Sequence, residues 1–259
     1  MRNATLAAVF AGAAISSLAA HPGNLHETDE EPRVIAVVLA HPDDELVFAP
    51  AIHGLVRAGH TVKLLFATRG DQGPGVSQME AGEALGRMRA AEAQCSGNAL
   101  GVAETVTLDL GDGTLGVEAR KAGSAAKRLA EELADLELGE AGTVITWGPD
   151  GGYGHSDHRM VSAVVTQALQ AMPEDTRPKL LYPALIHSPL PDILAGQGWT
   201  TTAPDLANIN YEYSKADLAA ATAAAQCHRT QFDDATRAEI VPGFDALVWK
   251  GAVSFRRGL

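Results

Sequence analysis

Apolar residues fall along this chain in short, charge-poor blocks, separated by longer stretches with helical spacing. RVIAVVLA (33–40), TVKLLFAT (61–68), ETVTLDL (104–110) and TVITW (143–147) read as strands, the first being β-branched and without an interior charge. Such runs suit strands buried on both faces, as parallel sheets require. Helices are expected from Glu45 to Ala58, Ser77 to Cys95, 115 to 138, and Ser156 to Met172. Beyond them, KLLYPALI and NINYEYS are strand candidates, Lys215 to Phe232 an Ala-rich helix, and ALVWKGAVSF a closing strand. The alternation predicts an α/β, Rossmann-like single domain, its mainly parallel sheet covered by helices on both faces. Sites in such sheets form beyond the carboxyl ends of the strands.

Composition narrows the partners. The 259 residues are 46% hydrophobic with a formal charge of −12, and no Lys/Arg-rich block is present. That argues against nucleic acid or an anionic membrane as the main partner, and self-association is left open. Residues 1–20 read as a signal peptide, with one Arg, an Ala-rich apolar run too short to span a membrane, and Ser17-Leu18-Ala19 as a cleavage signal. The polar, proline-bounded stretch 21–32 reads as a linker, leaving 33–259 as the domain. An exported protein, periplasmic or extracellular, is therefore expected. Cys95 and Cys227, the two cysteines, permit a single intramolecular pairing, and two unpaired thiols are an equal alternative.

Two short stretches carry the chemistry. AHPDDE (40–45) follows the first strand, and GPDGGYGHSDHR (148–159) follows TVITW. His41 and Asp44, three apart at a strand-to-helix turn, can aim at one point. Asp43 must point elsewhere, and His158 can supply a third ligand. Two imidazoles and a carboxylate suit zinc or a similar divalent ion, with a position left open for water. Taken singly, each stretch also reads as a helix start with carboxylate or Ser156 capping.

The pair of motifs resembles the LmbE-like (PIG-L) family of zinc-dependent N-deacetylases, over Arg33 to Phe232. That family includes enzymes deacetylating N-acetylglucosaminyl-inositol intermediates. The resemblance implies His41, Asp44 and His158 as metal ligands and Asp43 as the general base. It implies His155 as the group that stabilises the oxyanion or protonates the leaving amine, with Asp157 orienting it and favouring its charged form. Tyr153 matches a tyrosine that approaches the substrate carbonyl in some members, and the glycines around it would let the loop move. Arg69 and Asp71 in ATRGDQG, Arg89 in Arg89-x-x-Glu92, and Asp112 in LGDG become substrate-binding candidates; Asp71 stands where the family has Glu. Arg89 and Glu92 also read as an intrahelical pair. Lys215, His228 and Gln231 match a further helix, with Thr230 in place of Ser, and His228 reads as structural there. His53 and His60 are given no role. The implied activity is zinc-dependent removal of an N-acetyl or other N-acyl group from an amino-sugar derivative. The rivals are an amidase of another N-acyl conjugate, a non-catalytic sugar-binding protein and, more weakly, a phosphoesterase.

Overall fold

In the computed structural model, residues 23–24, 33–135, 140–186 and 190–259 are described. The expected signal peptide and all of the linker but Gly23 and Asn24 lie outside them. The strands are β1 (Gly23–Asn24), β2 (Val34–Leu39), β3 (Thr61–Phe66), β4 (Glu104–Thr107), β5 (Ala141–Thr146), β6 (Lys179–Pro183), β7 (Ile209–Glu212) and β8 (Ala252–Arg257). They form one sheet in the order β1-β7-β8-β6-β5-β2-β3-β4. All neighbours pair in parallel except β8, which runs antiparallel to both β6 and β7. The first long strand, β2, thus lies between β3 and β5, and chain connections leave it in opposite directions. That is a topological switch point, where open α/β sheets bind ligands.

Eight helices accompany the sheet among the described residues: α1 (Ala49–Arg57), α2 (Glu83–Leu100), α3 (Ala125–Asp135), α4 (Gly151–Gly154), α5 (Ser156–Gln170), α6 (Asp192–Gly196), α7 (Lys215–Ala225) and α8 (Asp234–Phe244). Alternation along the strands builds a core on each face. Ile35, Val37 and Leu39 of β2 pack with Ile52 and Leu55 of α1 and with Ala221 and Ala224 of α7. Val38 and Ala40 face the other way, toward Leu129 and Leu133 of α3 and Val161 and Val165 of α5. The expected two-layered covering of a parallel sheet is present.

Several boundaries differ from expectation, each for a local reason. The helix expected from Glu45 is split into a 3₁₀ turn at Asp44–Phe48 and α1, with Phe48 at φ −141° between them. Pro50 lacks the N–H that would join the two into one α-helix. α2 begins six residues late and runs past Cys95 to Leu100, where Gly101 at φ 71° ends it in the left-handed conformation. Among the described residues of the helix expected over 115–138, Ala125–Asp135 is helical and 115–124 is not. Gly123 sits at φ 73°, and the Ser124 hydroxyl accepts from the Lys127 amide at the true start. α7 stops at Ala225, and α8, which shows little amphipathic patterning, is capped by Asp233 accepting from the Thr236 amide. No helix among the described residues is long and apolar enough to cross a membrane.

Cys95 and Cys227 form a disulfide across a sequence separation of 132. It ties α2 to the segment after α7. Replacing both cysteines by serine should lower unfolding free energy by roughly 2–5 kcal/mol, because a long loop in the unfolded chain is no longer closed. Denaturant unfolding without reductant measures this, as a lower midpoint for the double variant.

Candidate active site

The two motifs meet at the carboxyl ends of β2 and β5. His41, Asp43 and Asp44 leave β2, and His155, Asp157 and His158 leave β5 through the short α4 turn. His41 Nδ1 stands 3.3 Å from His158 Nε2, and His158 Nε2 is 3.1 Å from Asp44 Oδ1. Asp44 Oδ2 lies 3.9 Å from His41 Nδ1. All three side chains are buried, with His158 fully so.

Asp44 is held by the turn itself. Its Oδ2 accepts from the Ala40 and His41 amides and from Trp147 Nε1, each at 3.0 Å. Trp147 also stacks flat on His158, ring centroids 4.5 Å apart. One indole thus orients two members of the cluster, a role the sequence reading did not assign. His158 Nδ1 is 3.1 Å from the Gly151 carbonyl oxygen, which accepts only, so Nδ1 carries a proton. The lone pair of Nε2 is left facing His41 and Asp44.

His41 is fixed from its other side. Its Nε2 lies 3.0 Å from Asp112 Oδ1 and 3.5 Å from Asp157 Oδ2. Both carboxylates face that nitrogen and favour a proton on it. Burial lowers the His41 pKa, but Asp112, Asp157 and Asp44 outweigh it and push it up to about 10. Burial alone would raise Asp44; the imidazoles of His158 and His41 and the Trp147 hydrogen bond hold it well below the ordinary carboxylate range. The cluster therefore demands positive charge between its members. A proton on His41 satisfies that demand in the metal-free chain, and two imidazole nitrogens with one carboxylate oxygen suit a divalent cation equally.

His155 belongs beside the cluster. Donor atoms of His41, His155 and His158 all come within 4.8 Å of one another, as do those of His41, Asp112 and Asp157. Yet His155 Nδ1 accepts the Asp157 amide at 3.2 Å, so its neutral form carries the proton on Nε2 and has no second lone pair for an ion. In the other set, Asp157 is already engaged by the Gly113 and Leu115 amides, and Asp112 Oδ2 by the Gln72 amide. The set His41, Asp44 and His158 leaves its facing atoms free of such partners.

Asp43 occupies a strained backbone conformation, φ 99° and ψ −18°, that turns its carboxylate away from Asp44. Two partners hold it there. Its amide donates to Glu45 Oε2 at 2.9 Å, and its Oδ2 is 3.2 Å from Arg89 Nη2. Glu45 is fully buried, and its Oε1 accepts from Ser96 at 2.5 Å and from His228 Nε2 at 2.6 Å. His228, expected to be structural, thus braces the turn that presents Asp43. Burial pushes the Asp43 carboxyl up to about 6 against the pull of Arg89, with Asp44 adding repulsion.

Four expectations are corrected. Asp157 does not bond the His155 ring through its carboxylate; that group faces His41 and the 113–115 backbone. Asp157 does favour the charged form of His155, but burial, with His158 and His41 nearby, outweighs it and lowers the pKa overall. Arg89 is 4% exposed, and its Nη groups donate to the Pro42 and Gly70 carbonyls, both at 2.7 Å, besides meeting Asp43. Its place is under the site, and Glu92 pairs with Thr230 rather than with it. Gly152 serves close packing rather than loop motion: φ is 73°, and a Cβ there would stand 2.8 Å from the Trp147 ring.

The remaining substrate candidates divide. Asp112 reaches the site, but through His41. Asp71 braces the Asp112 loop, its Oδ1 3.4 Å from the Asp112 amide. Arg69 is paired with Glu83 and Asp109, each at 3.3 Å, and is not brought to the cluster. Tyr153 is 40% exposed, its ring 5.3 Å from that of His158; burial of the hydroxyl and the nearby Asp44 and Asp43 raise its pKa, so the phenol keeps its proton. Gln231 donates to the Gly73 carbonyl, and His53 pairs with Asp217 at 2.7 Å, away from the site.

Comparison with known proteins places this arrangement. A family model described as PIG-L, GlcNAc-PI de-N-acetylase, matches residues 36–169. The chain belongs to the PIG-L family. A 1D-myo-inositol 2-acetamido-2-deoxy-alpha-D-glucopyranoside deacetylase of Nakamurella multipartita is 34% identical over 56% of this chain and 57% of its own length. One of Mycolicibacterium vanbaalenii is 30% identical over 75% and 79%. Among solved structures, the N,N'-diacetylchitobiose deacetylase of Pyrococcus horikoshii superposes with a TM-score of 0.61 at 17% identity, covering 88% of this chain and 84% of that one. A 4-carboxy-2-hydroxymuconate hydratase of Pseudomonas putida KT2440 reaches 0.60 at 17%, covering 88% and 96%. A PIG-L-like fold thus carries more than one reaction, and the site must decide between them.

Binding of zinc at neutral pH should release about one proton per ion, because His41, kept charged by its carboxylates, must give up the proton on Nδ1, the nitrogen facing Asp44 and His158. Calorimetric titrations in buffers of different ionisation enthalpy count it. Asp44→Ala should abolish tight binding, whereas His155→Ala should retain it.

Proposed function

We propose that this PIG-L protein is a metal-dependent N-deacylase removing an acetyl or other acyl group from an amino-sugar-type amide, with zinc as its ion. The observation that carries the reading is the three-acceptor cluster of His41, Asp44 and His158 with a separate carboxylate, Asp43, held next to it. The named activities of the curated relatives support it. A divalent cation held by these three residues supplies Lewis acidity toward the amide carbonyl and the attacking water.

The chain's own groups supply the rest. Asp43, ionised above about pH 6, accepts the proton of the attacking water. His155 Nε2–H, neutral and fixed by the Asp157 amide, donates a hydrogen bond to the oxygen that gains charge, and the protonated Tyr153 phenol stands beside it as a second donor. When the C–N bond breaks, the proton held by Asp43 passes to the amine. An amide and water thereby become a carboxylic acid and an amine. Arg89 and Glu45 act by positioning Asp43, Asp112 and Asp157 by positioning His41. Export is proposed with this activity: a disulfide persists in an oxidising compartment.

Asp43→Asn should lower kcat about 10²–10⁴-fold while zinc content stays unchanged, measured by acetate release and metal analysis of one preparation. Normal turnover in that variant would overturn the assignment. Because Asp43 works ionised, kcat/KM should fall as pH drops through its pKa. Arg89→Met removes the group that pulls this pKa down, so the acid limb should move to higher pH.

A further inference from the structure

The catalytic cluster opens into a cleft of about 740 Å³ that begins at Asp43 and Asp44 and passes Trp147 and Tyr153. Away from the cluster its walls are apolar. Leu46 and Val47, just after the first motif, line it together with Leu194, Trp199, Ile240 and Phe244 from the later chain. The polar side chains along it are Gln197, Thr236 and Glu239, and no Lys or Arg lines it. Leu247 is 53% exposed at this surface.

An acetyl methyl would leave nearly all of this space filled by water against hydrocarbon. Clefts of this volume bury a drug-sized ligand. Away from the cluster, a phosphate or carboxylate would meet Glu239 and no Lys or Arg to offset it. The occupant that matches is uncharged and apolar.

Building on the deacylase reading, we propose that the substrate carries an alkyl or aryl group, close to its scissile amide, that fills this cleft. The group belongs either to the acyl part released or to an aglycone on the sugar. Both present the same chemistry to the walls. Each methylene moved from water into the cleft then tightens binding roughly threefold to fourfold, the equivalent of about 0.8 kcal/mol.

The test uses the zinc-loaded full chain and two series. One lengthens the acyl group from N-acetyl- to N-octanoylglucosamine; the other keeps N-acetyl and lengthens a β-alkyl glycoside from methyl to hexyl. In one series kcat/KM should climb roughly threefold to fourfold per methylene, mainly through KM, and the series that responds identifies the source. A 6-phosphate on the best substrate should reduce kcat/KM. Leu247→Glu and Ile240→Glu should flatten the climb. Hydrolysis of N-acetylglucosamine with no gain in either series would overturn this inference and leave the deacylase reading standing. Binding is read separately by fluorescence of Trp147 and Trp199 with non-hydrolysable alkyl glucosides. Saturation that tightens with chain length, in a chain that cleaves no amide, would retain the apolar cleft and sink the deacylase reading. Absence of such tightening together with absence of hydrolysis would sink both.

Discussion

Unshared lone pairs crowd together at the junction of β2 and β5, and the surrounding structure serves to keep them there. His41 Nδ1, His158 Nε2 and an oxygen of Asp44 would repel one another without a positive charge between them. Parallel pairing of β2 with β5 brings their carrier loops side by side. Trp147 then locks two of the three, Asp44 and His158, the Gly151 carbonyl sets the tautomer of His158, and Asp112 with Asp157 holds His41 from behind. Each restraint is buried and polar, and each would be a liability in a site that held nothing.

Much of this was legible before any coordinates. Strands survive single-sequence reading because a run such as Val34–Leu39 has no helical alternative, and the strand-to-loop junctions placed His41, Asp44 and His158 together. Partners distant in sequence were not legible. Arg89 and Glu92 sit three apart on one helix face, which suggests a local pair, yet each reaches across the fold, to Asp43 and to Thr230. The target of Asp157 was misread for the same reason, since adjacency to His155 says nothing of the 113–115 backbone. Helix α8 escaped because its apolar spacing is weak and Pro242 and Gly243 sit near its end. Its Asp233 cap was the available signal.

The match to the PIG-L model ends at residue 169. Much of the cleft's apolar wall, from Leu194 to Val248, comes from the chain beyond it, joined by Leu46, Val47 and Trp147 from the matched part. The matched half supplies the charged cluster, and α6, α8 and the turn at Asp245–Trp249 supply much of the cleft lining.

The sulfur–sulfur bond has a topological side. Residues 95 to 227 form a covalent ring that contains four of the sheet's strands and the loop from which His155 and His158 project. A peptide bond cut anywhere inside that ring opens the backbone without separating the fragments. A nicked molecule would migrate as one species until a reductant parted it, so the fold has a fastening against proteases that acts on connectivity rather than on burial.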